Sequence, residues 1–121
     1  MKEVFSQIPI YKNYGKLLEF PEDLKKEDIE FFVVNNDSDQ LIDILKDLDV
    51  LYASQTYVMV NNSSKHIFIW IGNEATAGIR FLGAHLAHQL QQRKGFTYRV
   101  ISIDQENEPD EFIKILALLY E

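Results

Sequence analysis

The sequence predicts a small α+β domain, and three observations carry that expectation. Two β-rich runs, Thr56-Tyr57-Val58-Met59-Val60 and His66-Ile67-Phe68-Ile69-Trp70-Ile71, flank the turn-forming stretch Asn61-Asn62-Ser63-Ser64-Lys65, which is how a hairpin reads. A long stretch with apolar residues at helical spacing follows the hairpin. A further strand and a second helix then complete the pattern. The chain has 121 residues, 46% of them hydrophobic, enough for one core of Ile, Leu, Val, Phe and Tyr. No repeat, low-complexity tract or linker divides it, and Pro9, Pro21 and Pro109 fall at element edges. We therefore read residues 1–121 as a single domain, with residues 1–50 the least clearly parsed.

In chain order, Lys16-Leu17-Leu18-Glu19-Phe20 reads as a strand and Pro21 to Asp28 as a short charged helical turn. Phe31-Phe32-Val33-Val34 reads as a buried strand ended by Asn35-Asn36. Asp37 or Ser38 then caps a helix, in which Leu41, Ile42, Leu45 and Leu48 share one side. After the hairpin, Gly72 breaks the strand. Asn73 is placed to accept backbone N–H groups as an N-cap, and Glu74 favours the positive end of the helix dipole. A helix from there to Arg93-Lys94 would be about 31 Å long, ending at cations, with Gly95 in the left-handed conformation beyond it. Phe96 to Ile103 alternates as a strand, and Pro109 opens a last helix to Tyr120.

Composition removes several functions. Without cysteine there is no disulfide framework, thiol nucleophile, Cys-type zinc site or iron–sulfur cluster. The first residues show no basic segment followed by an apolar one, and no run approaches the roughly 18 apolar residues of a membrane span. A cytoplasmic address fits these signs. The net charge of −7, most of it carried by residues 1–50, repels phosphate backbones, so nucleic acid is not an expected partner. Arg93, Lys94 and Arg99, with Lys65 near them in space, read as a solvated rim. Asn61 and Asn62 each begin an N-x-Ser triplet but read as turn residues. No Gly-rich phosphate loop or serine elbow is present, and the histidines have no evident carboxylate orienter, so the chain is not expected to be an enzyme.

The order hairpin, long helix, strand, helix resembles the gelsolin-like domain. The likeness rests on Tyr57-Val58-Met59-Val60, on Ile67-Phe68-Ile69-Trp70-Ile71-Gly72-Asn73-Glu74-Ala75, on the long helix, on Val100-Ile101-Ser102-Ile103 and on Glu108-Pro109-Asp110-Glu111-Phe112. It covers roughly residues 50–118, and its most specific piece is the Trp-x-Gly-Asn-x-Ala step. It implies a mixed sheet, of the kind shared with the ADF-H-like fold, flanked by one long helix and a shorter C-terminal helix. It also implies actin as partner, bound by the long helix, through monomer sequestration or filament-end capping. Gelsolin-like modules also occur in trafficking coats and small-GTPase assemblies, which is the alternative. Family domains often hold calcium through a hairpin acid and a helix glutamate. Those places fall here at Gln55 and Ile79, so calcium-independent action is expected, with no cofactor.

On the helix, Ala75, Ile79, Leu82, Gly83, Leu86 and Leu90 form the arc expected to face the sheet. Phe81, His85, His88 and Gln92 form a second stripe beside it. Three readings attach to that stripe: a boundary with Phe81 packed under a loop, a metal pair formed by His85 and His88 lacking a visible third ligand, and a protein-binding face. The resemblance points to the last. Asp104, Glu106 and Glu108 have EF-hand spacing, but Pro109 and Ile115 stand where glycine and glutamate are needed, so the run reads as a solvated loop. The last helix is apolar almost all round, which calls for cover from its own domain or from a second copy in a homodimer.

Overall fold

The protein's structure, a computed structural model, describes residues 24–120. The strand expected at Lys16–Phe20 and the start of the turn expected from Pro21 lie outside them. The described chain builds one five-stranded sheet from β1 (Ile29–Asn35), β2 (Gln40–Asp43), β3 (Thr56–Asn61), β4 (His66–Ile71) and β5 (Arg99–Asp104), in the order β2-β1-β3-β4-β5. All neighbours run antiparallel except β4 and β5. The parallel pair follows from the connection between them, the long helix α1 (Ala77–Lys94), because parallel strands need a crossover of a dozen residues or more.

Side chains alternate across the sheet, so each face has its own core. On one face Val34, Val58, Val60, Ile67 and Ile69 pack with Ile79, Leu86, Ala87 and Leu90 of α1. On the other, Ile29, Phe31, Tyr57, Met59, Phe68, Trp70 and Ile103 pack with Leu51 and with Phe112, Ile115 and Leu116 of the second helix, α2 (Asp110–Leu119). The sheet is thus the middle of three layers, and every residue of its central strand β3 is buried. Each fully buried Leu, Ile or Phe contributes about 2 kcal/mol of transfer free energy, so the two helices hold the sheet from both sides. The cover α2 needs comes in large part from this sheet.

Residues 40–48 differ from the sequence reading. They form β2 and a single 3-10 turn, Leu45–Asp47, in place of a helix. Asn35 Oδ1 accepts from the N–H groups of Asp37 and Ser38 at 2.9 and 3.0 Å, which folds the chain back onto β1. The apolar residues then divide: Leu41 joins the α1 side, while Ile44, Leu45 and Leu48 join the α2 side. Helical spacing puts Leu41, Leu45 and Leu48 on one side; in the structure Leu41 pairs with β1, while Leu45 and Leu48 follow the strand and pack on the other face.

The long helix also begins later than expected. Thr76, not Asn73, is its N-cap, accepting from the Ile79 N–H at 3.3 Å. Asn73 and Glu74 are used elsewhere, donating their backbone N–H groups to Gln105 Oε1 (2.8 Å) and to the Ala53 carbonyl (2.9 Å). The helix has 18 residues, about 27 Å. Gly95 does end it with a positive φ of 125°, though its ψ of 153° is extended and not left-handed helical.

Candidate functional site

The outer surface of α1 carries the stripe expected from sequence. Phe81 is 84% exposed, and His85, His88 and Gln92 are exposed with it. Residues three and four apart share a helix face, so the four present one continuous strip. The reading in which Phe81 packs under a loop is therefore overturned. On the opposite side Ile79, Gly83, Leu86, Ala87 and Leu90 are buried, while Leu82 is half-buried. Ala87, absent from the expected arc, is fully buried, and Ala75 lies before the helix.

Gly83 sets how deep α1 sits. A Cβ there would come 2.7 Å from Cγ2 of Thr56 on β3, so the bare backbone permits the close approach. The side chains of the stripe bond only along the helix: Gln89 Nε2 lies 3.2 Å from His85 Nε2, and His88 Nδ1 lies 3.4 Å from Gln91 Oε1. Among the described residues no group of three or more His, Cys, Asp or Glu is arranged to hold a metal. Ile79, the residue expected at the helix position of the family glutamate, is buried in the core. Gln55 spends its backbone on the turn, donating to the Tyr52 carbonyl and accepting from the Gly72 N–H, each at 3.0 Å.

Beside the stripe, a cleft of about 450 Å³ separates α1 from the β1–β2 turn. Asn36 and Asp39 line it from the turn, and Gly78, Leu82, His85, Leu86 and Gln89 from the helix. Asp39 holds a φ of 55°, a left-handed conformation that Asp and Asn tolerate better than most residues. Sequence reading did not find this cleft, because it assigned the turn to a helix. Phe96, 93% exposed just beyond α1, was also not singled out.

The polar residues of the hairpin do more than turn the chain. Glu111, in the first turn of α2, accepts from Asn61 Nδ2 at 2.9 Å and Ser64 Oγ at 2.5 Å, and pairs with His66 Nδ1 at 2.8 Å. Burial pushes its carboxyl up, but the hydrogen bonds from Ser64, His66 and Asn61 outweigh this and hold it below the ordinary value of 4.5. Asn62 donates to Glu30 at 2.8 Å and accepts from Tyr98 at 2.6 Å, and Glu30 also pairs with Lys94. Lys94 thus belongs to an internal cluster and not to a free rim, whereas Arg99 and Lys65 are backbone neighbours, as expected. Glu108 is likewise not simply solvated: it accepts from Trp70 Nε1 and from the Glu106 N–H, both at 2.8 Å. Burial pushes the Tyr57 hydroxyl up to about 12, although it accepts from the Tyr52 N–H at 3.0 Å. Apart from the Tyr52–Tyr57 and Glu106–Glu108 contacts, these bonds link residues about 30 to 60 positions apart, and no local pattern announces them.

Comparison with protein families decides what this framework is. A model described as the gelsolin repeat matches residues 38–113. The chain belongs to the gelsolin repeat family. Among solved structures, it is similar to ProGel of Thorarchaeota, crystallised in complex with rabbit actin, with 22% identity and a TM-score of 0.64 over 73% of this chain and 98% of that one. It is also similar to 2DGel3 of Thorarchaeota, again in a complex with rabbit actin, with 21% identity and a TM-score of 0.59 over 82% of this chain and 50% of that one. At these identities the likeness speaks for the fold. Comparison with curated proteins gives no match.

The gelsolin-repeat step from strand to helix has a direct physical cause here. A Cβ on Gly72 would lie 2.1 Å from the Ala53 carbonyl oxygen, and that same oxygen receives the Glu74 N–H. The glycine lets the chain leave β4 against the backbone before β3, and Trp70 two residues earlier is anchored by Glu108.

Proposed function

We propose that this gelsolin-repeat chain is a non-enzymatic binding module for an actin-family protein in the cytoplasm. It acts as one domain, through Phe81, His85, His88 and Gln92 on α1. The observation that carries this reading is the exposure of Phe81, 84%, in the second turn of a helix whose other side is committed to the core. An aromatic ring held out on a rigid helix is the kind of anchor a protein interface uses. The actin complexes of the similar Thorarchaeota proteins support actin as the partner class.

The mechanism is steric. The helix occupies a cleft on the partner and blocks addition of the next subunit, by sequestering monomers or capping a filament end. Calcium has no part in it, since the two positions that would supply carboxylates hold Gln55 and Ile79. The purified chain is expected to slow actin assembly, followed by light scattering, equally in calcium and in chelator. Phe81→Asp should remove the effect while the far-UV circular dichroism stays unchanged. No slowing at tens of micromolar would reject the actin reading in favour of a coat or GTPase-assembly module. A calcium-dependent effect would reject the calcium-independent part alone.

A further inference from the structure

Three clusters of charged side chains stand out, and two of them are internally satisfied. The cleft under Lys94 and Tyr98 contains Glu30, whose carboxylate is taken by Lys94 and Asn62. Glu111 is likewise taken by Asn61, Ser64 and His66. The cleft between α1 and the β1–β2 turn differs. Among the described residues Asp39 has no ion-pair partner and no side-chain hydrogen bond, and the carboxamide oxygen of Gln89 has no donor.

The lining of this cleft specifies its occupant. Leu82 and Leu86 make part of its lining apolar, while Asp39, Asn36 and Gln89 are lining residues that carry acceptor oxygens. The second acid of the turn, Asp37, is exposed two residues away, and residues 1–50 carry most of the chain's net negative charge. A ligand that suits both parts has an aliphatic stem and a cationic head with several donors. Arginine meets that description better than lysine, because its planar fork reaches a carboxylate and a neighbouring amide oxygen together. The stem would lie along the leucines, as long cationic side chains do on apolar surfaces. The volume, about 450 Å³, admits one such side chain with room for water.

His85 belongs to both the cleft and the exposed stripe. A partner seated on Phe81 is therefore within reach of the cleft. We propose that the cleft lined by Asp39, Asn36, His85 and Gln89 is a second anchoring point of the interface, which takes an arginine side chain from the actin-family partner. This rests on the partner reading given above. It adds a specificity element to it: a partner surface with an apolar seat for Phe81 and an arginine beside it is preferred over one with the seat alone. Charge complementarity at such a rim chiefly raises the association rate and selects the partner.

The test has one arm that needs no partner and one that does. In the first, the chain is titrated with N-acetyl-arginine amide and followed by NMR, with the isosteric neutral N-acetyl-citrulline amide as control. Saturable shifts in the millimolar range at the side-chain amides of Asn36 and Gln89 are expected with the arginine probe only, and they should vanish in Asp39→Asn. That substitution keeps a residue able to hold the positive φ, so its spectrum otherwise reports an intact fold. Absent shifts, or equal shifts with both probes, overturn the proposal. In the second arm, Asp39→Lys is expected to weaken actin binding about tenfold, measured with Phe81→Asp alongside. If Asp39→Lys binds like the parent chain while Phe81→Asp does not bind, the cleft is no part of the interface and the helix reading stands. If the parent chain itself fails to bind actin, the partner reading falls, and the arginine probe alone decides whether the cleft takes a guanidinium.

Discussion

Gly72 shows at single-residue scale how a short motif encodes a fold. Its missing side chain makes room for the Ala53 carbonyl, and a methyl group at 2.1 Å from that oxygen would force β4 and the segment before β3 apart. The obstacle is backbone, which has no rotamer through which to yield. Gly72→Ala is therefore expected to cost about 3 kcal/mol or more, at the upper end of what an added buried methyl does. Gly95→Ala is the useful contrast, because a Cβ there meets nothing within 4 Å and only the φ of 125° opposes it. Its cost should be about 1–2 kcal/mol, the strain of a backbone region that favours glycine. Urea midpoints of the two variants check this, and equal losses would mean that close approach is not the reason for glycine in the strand-to-helix step. The residue was legible in the sequence as a strand breaker, but its tertiary contact was not, because Ala53 lies nineteen positions earlier and carries no mark of its own.

The elements differ in how plainly the sequence announces them. β3 and β4 are continuous β-rich runs buried on both faces, and α1 and α2 are long enough to read as helices, so their residue patterns and their packing agree. β2 failed because four residues at a sheet edge are too few to show a period of two, and Leu41, Ile42 and Leu45 imitate a helix. The Glu111 cluster was invisible for another reason: it joins the β3–β4 turn to the start of α2 through residues some fifty positions apart. Its energetics are nevertheless testable. The carboxyl is held below its ordinary value, so the stabilisation it gives is fully present above the ordinary carboxyl range. It is lost as pH falls through the lowered value and Glu111 protonates. Glu111→Gln should cost about 2 kcal/mol at neutral pH, where hydrogen bonds to a charged acceptor are lost. The gap between variant and parent should close in acid, below that lowered value. A gap of the same size at neutral and acid pH, measured by urea unfolding, would show that the contacts act through packing and not through charge.

For the whole molecule, the three-layer arrangement fixes which surfaces are left for a partner. α1 gives one side to the sheet and keeps Phe81, His85, His88 and Gln92 on the other, so binding through this stripe needs no rearrangement of the core. That division was readable from the helix periodicity. What periodicity could not supply was the flank, where the β1–β2 turn brings Asp39 beside His85. The two histidines make the proposed interface sensitive to pH, and the direction follows from linkage. In the free chain both imidazoles are exposed. If the complex buries them neutral, protonation favours the free state, so affinity should fall as pH drops through about 6.5, the unperturbed histidine value. With both histidines involved, the decline should approach a hundredfold per pH unit well below that value, and tenfold if one is. The decisive comparison is actin affinity between about pH 5.5 and 7.5 for the parent chain and for His85→Gln with His88→Gln. A slope in the parent that disappears in the double variant places at least one ring in the contact, with its steepness telling one from two, whereas a flat parent profile removes the neutral burial of the histidines and leaves Phe81 as the anchor.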